Sequence, residues 1–343
     1  IPISTRAWKI AGKPRQLTSG TGHNTDVSVS TDGQVVFASL IRNFSLWSLP
    51  LDANRGRVTG GLERLTRGEA FHLEPSLSPN GRMLAFVATS PTKGEVILRD
   101  VATGKENSIF VVPRYGGYPD FSADGTRIAF SSGAMGEKPS IYVSPVAGGI
   151  PEIVCEDCGL TNSWSSDGTK ILYDWGMPRY IGLVATATRK TTQVLRNPKY
   201  GLFQGRFSPD DRWICFQRTT PSSGNNRLMV APFRGAAEIP ESQWIPVTDG
   251  SSWDRRPRWS PDGNLIYFNS NRDGFQCLWA QRLEPVTKQP AGAAFNVYHF
   301  HSVRRSLADT DHGPMTISVI RNRIAMSLQE RTGNIWTFKL PEE

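Results

Sequence analysis

One short pattern recurs along this chain and limits what it can fold into. Ser-Pro-Asp-Gly at Ser260–Gly263 has relatives at Ser30 (Ser-Thr-Asp-Gly), Ser78 (Ser-Pro-Asn-Gly), Ser122 (Ser-Ala-Asp-Gly), Ser165 (Ser-Ser-Asp-Gly) and Ser208 (Ser-Pro-Asp-Asp), at intervals of 48, 44, 43, 43 and 52 residues. A large apolar residue precedes each copy (Val29, Leu77, Phe121, Trp164, Phe207, Trp259) and a run of β-formers follows, as in Leu265–Phe268. The segment reads as two antiparallel strands joined by a tight turn. Pro261 presets φ near −65°, Asp262 accepts hydrogen bonds from the turn's own backbone, and Gly263 takes a left-handed conformation that a Cβ would resist. A seventh copy is hidden at Ser318, where Ser-Val-Ile-Arg-Asn-Arg-Ile-Ala-Met matches Ser122–Phe130 without the turn residues.

A third strand follows each hairpin: Phe44–Leu49, Glu95–Val101, Ile141–Val146, Tyr180–Val184, Leu228–Phe233, Cys277–Leu283 and Ile335–Leu340. Short outer-strand candidates follow at Arg64–Thr66, Ser108–Phe110, Glu152–Val154, Gln193–Leu195, Ile245–Thr248 and Phe295–His301. A three- or four-stranded piece with two apolar faces cannot bury itself alone, and a period of roughly 40–50 residues is that of a β-propeller blade. The prediction is therefore all-β: a seven-bladed β-propeller of four-stranded blades over residues 13–340, with 1–12 as an N-terminal extension and 341–343 as a C-terminal tail. The seventh repeat ends too soon for a fourth strand, and Lys13–Thr18 resembles Leu62–Thr66, so the N-terminal strand is expected to complete the last blade and remove the open edges. Aromatic residues such as Trp47, Phe86, Phe130, Trp164, Phe207, Trp259 and Trp279 are the expected core between blades.

The repeat, with its Ser-Pro-Asp-Gly turn, its Ile-Ala-Phe strand and its Ile-Tyr-Val strand, resembles the PD40 or WD40-like repeat of TolB-type propellers. The resemblance runs from Thr18 to Leu340 and is carried best by Ser78–Phe86, Ser122–Phe130 and Ser260–Phe268. It implies a propeller more firmly than it implies any activity. Similar arrays form extracytoplasmic sensor regions of bacterial kinases and regulators. The start at Ile1, which is not an initiator Met, is read as a processed or excised end.

Motifs of chemistry are scarce. There is no Gly-x-Ser-x-Gly nucleophile elbow, phosphate-binding loop, dinucleotide fingerprint or kinase catalytic loop. No apolar run approaches the roughly 18 residues of a membrane span. Lys and Arg number 39 against 31 Asp and Glu. This excess is read either as a solvated basic surface or as an attraction for anionic partners. Cys215 and Cys277 read as buried free thiols. Cys155 and Cys158, at CxxC spacing in a loop, leave a local disulfide, two inert thiols, or a metal or catalytic role open.

Propellers bind where loops gather about the axis. Counting back four residues from each motif serine gives Asp26, Glu74, Tyr118, Thr161, Gln204 and Arg256, the expected ligand-binding ring at one channel mouth. Mixed charge with Tyr, Gln and Thr suits a peptide or sugar better than a divalent ion; the same residues could instead only join adjacent blades. His299 and His301 alternate on one strand face and, with Asn296, form a weak metal candidate that faintly resembles the cluster of oligogalacturonate lyases. His23, His72 and His312 are assigned to loops.

The function expected is a non-enzymatic binding, scaffold or sensor propeller of the bacterial envelope. It would be extracytoplasmic and monomeric, recognise a protein segment or small ligand, use no cofactor, bind no nucleic acid, and carry no membrane span in this chain. The alternatives are a metal-dependent saccharide lyase or hydrolase, and an intracellular scaffold.

Overall fold

The computed structural model describes residues 3–4, 9–10, 13, 23–90, 93–112, 115–134, 136–220, 226–302, 304–307 and 316–339. The chain divides into two compact units, 1–42 with 331–343, and 43–330. Among the described residues there is no α-helix; the only helical element is the 3-10 turn Glu241–Gln243.

The larger unit holds five four-stranded antiparallel sheets. Sheet I runs Phe71–Leu77, Met83–Thr89, Gly94–Asp100 and Glu106–Val112, and sheet II Tyr115–Phe121, Arg127–Gly133, Ser140–Pro145 and Glu152–Cys155. Sheet III runs Leu160–Trp164, Lys170–Trp175, Tyr180–Ala185 and Thr191–Leu195, and sheet IV Gly201–Phe207, Trp213–Thr219, Asn226–Pro232 and Ile245–Pro246. Sheet V runs Arg255–Trp259, Leu265–Ser270, Cys277–Arg282 and Phe295–Tyr298. The predicted outer strands of these sheets are all present.

The motif makes the hairpins as the residue types require. The serine hydroxyl donates to the Asp or Asn two residues on (Ser122 to Asp124 and Ser260 to Asp262, each 2.5 Å) and accepts the N–H five residues on (Arg127, 3.0 Å; Leu265, 2.8 Å). Gly263 sits at φ 71°; where the pattern reads Ser-Pro-Asp-Asp, Asp211 takes φ 55° itself and ties its carboxylate to Ser166 of the neighbouring sheet. Each second strand then buries a large residue between sheets: Phe86, Phe130, Phe216 and Phe268 are fully buried, and Tyr173 holds that place in sheet III above Gly182. Each such side chain removed from water is worth about 1.5–3 kcal/mol. Of the aromatic core expected from sequence, only Trp279 remains half-buried.

The remaining sheet corrects the seven-bladed expectation. Ile317–Ile320 pairs with the beginning of Arg323–Lys339, which neighbours the later part of Gln34–Asp52, which in turn pairs with Glu63–Arg64. Two strands of the seventh repeat and two of the first thus make one sheet, VI, so seven repeats do not yield seven blades. The seventh copy is also offset: Ile320 pairs with Arg323 around a two-residue turn, which makes Ser318 the counterpart of Asp120 rather than of Ser122. Phe44–Leu49 joins the sheet begun by Ile317–Ile320; the expectation that Lys13–Thr18 completes the last blade lies outside the described residues apart from Lys13. Trp47 lies between the guanidiniums of Arg64 (4.9 Å) and Arg305 (3.8 Å), and Glu330 pairs with both arginines. Backbone bonds Leu51 N–H to Asn322 O and Ala53 N–H to Arg321 O (both 3.1 Å) complete the seam.

The inner strands Phe71–Leu77, Tyr115–Phe121, Leu160–Trp164, Gly201–Phe207, Arg255–Trp259 and Ile317–Ile320 pack each against the next, and the last against the first, around a closed circle. In the smaller unit, the hairpin His23–Val29 with Gln34–Leu40 keeps the first Ser-Thr-Asp-Gly turn, and Phe37 meets Phe338 edge-on at 6.1 Å.

Candidate functional site: an axial channel and its funnel

The inner strands are not regular. Register shifts between Leu73 and Ser76, Gly117 and Asp120, Phe203 and Arg206, and Arg255 and Arg258 mark a bulge at the same place in sheets I, II, IV and V. The residue four before the motif serine stands at its start with a left-handed backbone: Glu74 (φ 55°), Tyr118 (52°), Gln204 (59°) and Arg256 (63°). For a residue with a Cβ this costs about 1–2 kcal/mol. Sheet III differs: its shift lies between Thr161 and Ser163, and Thr161 keeps an ordinary φ. Asp26 (φ 55°) repeats the bulge within the smaller unit.

Beyond each bulge, the residue two before the motif serine forms a belt: Ser76, Asp120, Ser163, Arg206 and Arg258, with Ser318 in sheet VI. In four of the six the side chain accepts the N–H of the next inner strand. Ser318 Oγ takes Leu77 (2.9 Å), Ser76 Oγ takes Phe121 (3.3 Å), Asp120 Oδ2 takes Trp164 (3.3 Å) and Ser163 Oγ takes Phe207 (3.0 Å). The Trp164 and Trp259 indoles donate to the backbone oxygens of Asp120 and Arg206, both at 3.0 Å.

A narrow cavity of about 20 Å³ is lined from five of the six inner strands and so lies on the axis; Glu74, Tyr118, Asp120, Arg206, Arg258 and Thr316 face it. It is large enough for about one water. Sharing Ser76, Asp120, Arg206, Arg258 and Ser318 with it, a funnel of about 410 Å³ opens on the hairpin-turn side, walled by Pro79, Phe207, Pro209, Pro261 and Ile320, with Arg321 at its rim. A depression of about 570 Å³ beside Cys155–Cys158 lies on the rim of sheets II and III, away from the belt.

The charges at the funnel floor do not balance. Arg206 Nη1 reaches across to Asp120 Oδ1 at 2.7 Å. Arg258 donates to Pro257 O (2.9 Å) and, among the described residues, forms no ion pair of its own. Burial first, then the like charge of Arg206, holds its guanidinium well below the usual range, while Asp120 acts the other way. Glu74 Oε2 accepts the Tyr118 N–H at 2.5 Å, and burial raises its carboxyl to about 7 against the pull of that bond and of Arg256. With Arg206 and Arg258 set against Asp120, and with burial disfavouring the charged form of Glu74, the floor favours an anion.

The structure separates the expected ring. Glu74 and Tyr118 face the axial cavity. Buried Thr161 donates its N–H to Ser131 Oγ (3.3 Å), Gln204 donates its N–H to Asp174 Oδ2 (2.9 Å), and Arg256 is buried. Counting back four reached the bulge; strand alternation from the motif serine to minus two would have found Asp120, Arg206 and Arg258. His72 is a buried strand residue edge-on to Phe86, not a loop residue, and burial lowers its pKa. His23 opens a strand of the smaller unit, and His312 lies outside the described residues. Cys155 and Cys158 form a disulfide; Cys215 and Cys277 are buried free thiols. His299 and His301 converge on Asp273 near Cys277, whereas Asn296 stays on the outer strand opposite Trp279.

No family model matches the chain, and no curated protein does. Among solved structures it is similar to the TolB-like protein of Agrobacterium tumefaciens, with 16% identity and a TM-score of 0.60 over 88% of this chain and 100% of that one. It is similar to TolB from Acinetobacter baumannii, with 14% identity and a TM-score of 0.57 over 90% and 81%. An oligogalacturonate lyase solved with manganese aligns at 12% identity and a TM-score of 0.49 over 91% and 98%. The fold is the β-propeller of TolB-like architecture.

Proposed function

We propose that this chain is a six-bladed, non-enzymatic binding platform of the bacterial envelope, whose funnel takes a protein segment through a carboxylate group. The observation that carries this reading is Arg258, a half-buried guanidinium at the funnel floor whose neighbouring carboxylate, Asp120, already serves Arg206. An incoming carboxylate would relieve that imbalance, and the prolines and Phe207 of the wall would cover the apolar part of an extended segment. Glu74 and Tyr118 form the floor beyond the two arginines; Thr161 and Gln204 tie sheet III to its neighbours through their backbone N–H groups. The Cys155–Cys158 disulfide supports an extracytoplasmic setting, where such bonds persist. No helix among the described residues is long and apolar enough to cross a membrane.

The test is fluorescence anisotropy with short extended peptides carrying one Glu, each matched to its Gln counterpart. Acidic peptides should bind at least about tenfold more tightly than neutral ones, a difference of about 1.4 kcal/mol, and Arg258→Gln should abolish the preference. Equal binding of both sets, or an Arg258→Gln variant that still discriminates, removes the reading.

A further inference from the structure

We propose that Asp273, Cys277, His299 and His301 form a binding site for a zinc-class divalent transition-metal ion, at the end of sheet V remote from its Ser-Pro-Asp-Gly turn. Asp273 sits in the loop between Leu265–Ser270 and Cys277–Arg282, held by a turn in which Gly274 (φ 90°) donates to Asn271 O at 2.9 Å. Cys277 opens the third strand, and Leu278 pairs with Tyr298 of the fourth, which brings the following histidines beside it. Between them Phe300 turns inward, is buried, and donates its N–H to Cys277 Sγ at 3.2 Å. With Phe300 inward, His299 and His301 both face outward.

Three donor atoms meet there. His299 Nδ1 lies 2.9 Å from Asp273 Oδ2, His301 Nε2 lies 3.0 Å from the same oxygen, and the two ring nitrogens are 3.2 Å apart. In a tetrahedral site with bonds of about 2.0–2.1 Å, neighbouring ligand atoms stand about 3.3 Å apart, so a point about 1 Å above this triangle is at bonding distance from all three atoms. Cys277 Sγ falls in the same group, all of whose donor atoms lie within 4.8 Å of one another. One hydrogen-bonded His–Asp pair would account for one ring; it gives no reason for a second imidazole nitrogen aimed at the same oxygen with a thiol behind it. Two imidazoles, a carboxylate and a thiol are a zinc-type donor set and a poor one for magnesium or calcium. The Phe275 ring lies against His301 (4.4 Å) and the Trp279 edge faces His299 (6.4 Å). Half-exposed histidines (52% and 42%) leave an approach from solvent. A bound ion would staple the segment leaving the outer strand to the loop between the second and third strands.

The experiment uses the full chain, stripped with chelator, and Zn²⁺ alone as the probe in calorimetric titration, with Co²⁺ absorption as a second readout. About one equivalent should bind. The unfolding temperature should rise with zinc concentration, and His299→Ala and His301→Ala should each weaken binding at least about tenfold, the scale on which metal affinity answers to its ligand surroundings. Because both rings are at the surface, these variants should match the parent in metal-free unfolding temperature. Co²⁺ should give tetrahedral d–d bands and a thiolate charge-transfer band. Less than about 0.2 equivalents, or unchanged binding in the double histidine variant, overturns the site; a Co²⁺ spectrum without the charge-transfer band overturns Cys277 as a ligand.

Discussion

Replacing Glu74 by glutamine tests the electrostatics of the channel where burial acts most strongly on a carboxyl group. Its Oε2 accepts the Tyr118 N–H, and the amide oxygen of glutamine can do the same, so the substitution removes the titration and keeps the bond. Burial raises the folded pKa from 4.5 to about 7, against the pull of the Tyr118 N–H and of Arg256. A carboxyl group whose pKa rises on folding takes up a proton as the chain folds. Its contribution is fully present below pH 4.5 and is lost as the pH climbs through 7. At about 1.36 kcal/mol per pKa unit, the shift corresponds to about 3 kcal/mol as an upper bound, because the side chain keeps contact with the channel. Urea unfolding of parent and Glu74→Gln from about pH 4 to pH 8 measures it directly. The stability of the variant relative to the parent should rise by about 2–3 kcal/mol across that interval, and most of the rise should fall between the two pKa values. Two curves that stay parallel within about 0.5 kcal/mol would show that Glu74 ionises in the folded protein as it does in water.

Two further outcomes follow from the packing. Asp120→Ala strips Arg206 of its partner and Trp164 N–H of its acceptor; the loss should be about 2–3 kcal/mol in urea unfolding, discounted from a fully buried pair because both side chains touch the channel. Gly182→Ala should cost more than Gly263→Ala. A Cβ at Gly182 would meet the Tyr173 ring at 2.2 Å, whereas at Gly263 the nearest atom is at 3.5 Å and only the φ of +71° resists, at about 1 kcal/mol. Thermal unfolding of the two variants should rank them in that order.

The turn chemistry was legible because it is local: serine, Asp and Gly at fixed spacing satisfy one another within six residues, and the junction of first and second strands follows from them. The number of sheets was not. Phe44–Leu49 and Ile335–Leu340 look alike as third strands, but only pairing at a distance shows that the first is spent closing the sheet begun by Ile317–Ile320. The channel was legible one step out of place. The motif serine locates the belt by simple alternation, but the bulge before it, invisible in the residue types, separates Glu74 from Ser76 in role. At the histidines, the strand pattern brought out the two rings. Asp273 stands 26 residues from His299 and enters only through a loop, for which the sole signal was the Asn-Arg-Asp-Gly turn at Asn271–Gly274.

Because sheet VI draws half its strands from each end of the chain, that sheet is incomplete until Ile317–Glu330 has left the ribosome and met Phe44–Leu49. That meeting spans nearly the whole length of the polypeptide, a pairing whose loop-closure entropy makes it slow. Clipping either terminus therefore does more than shorten the array by one unit: it leaves the neighbouring sheets I and V each with a bare flank, and the half-built ring exposes apolar surface that invites a second molecule to complete it.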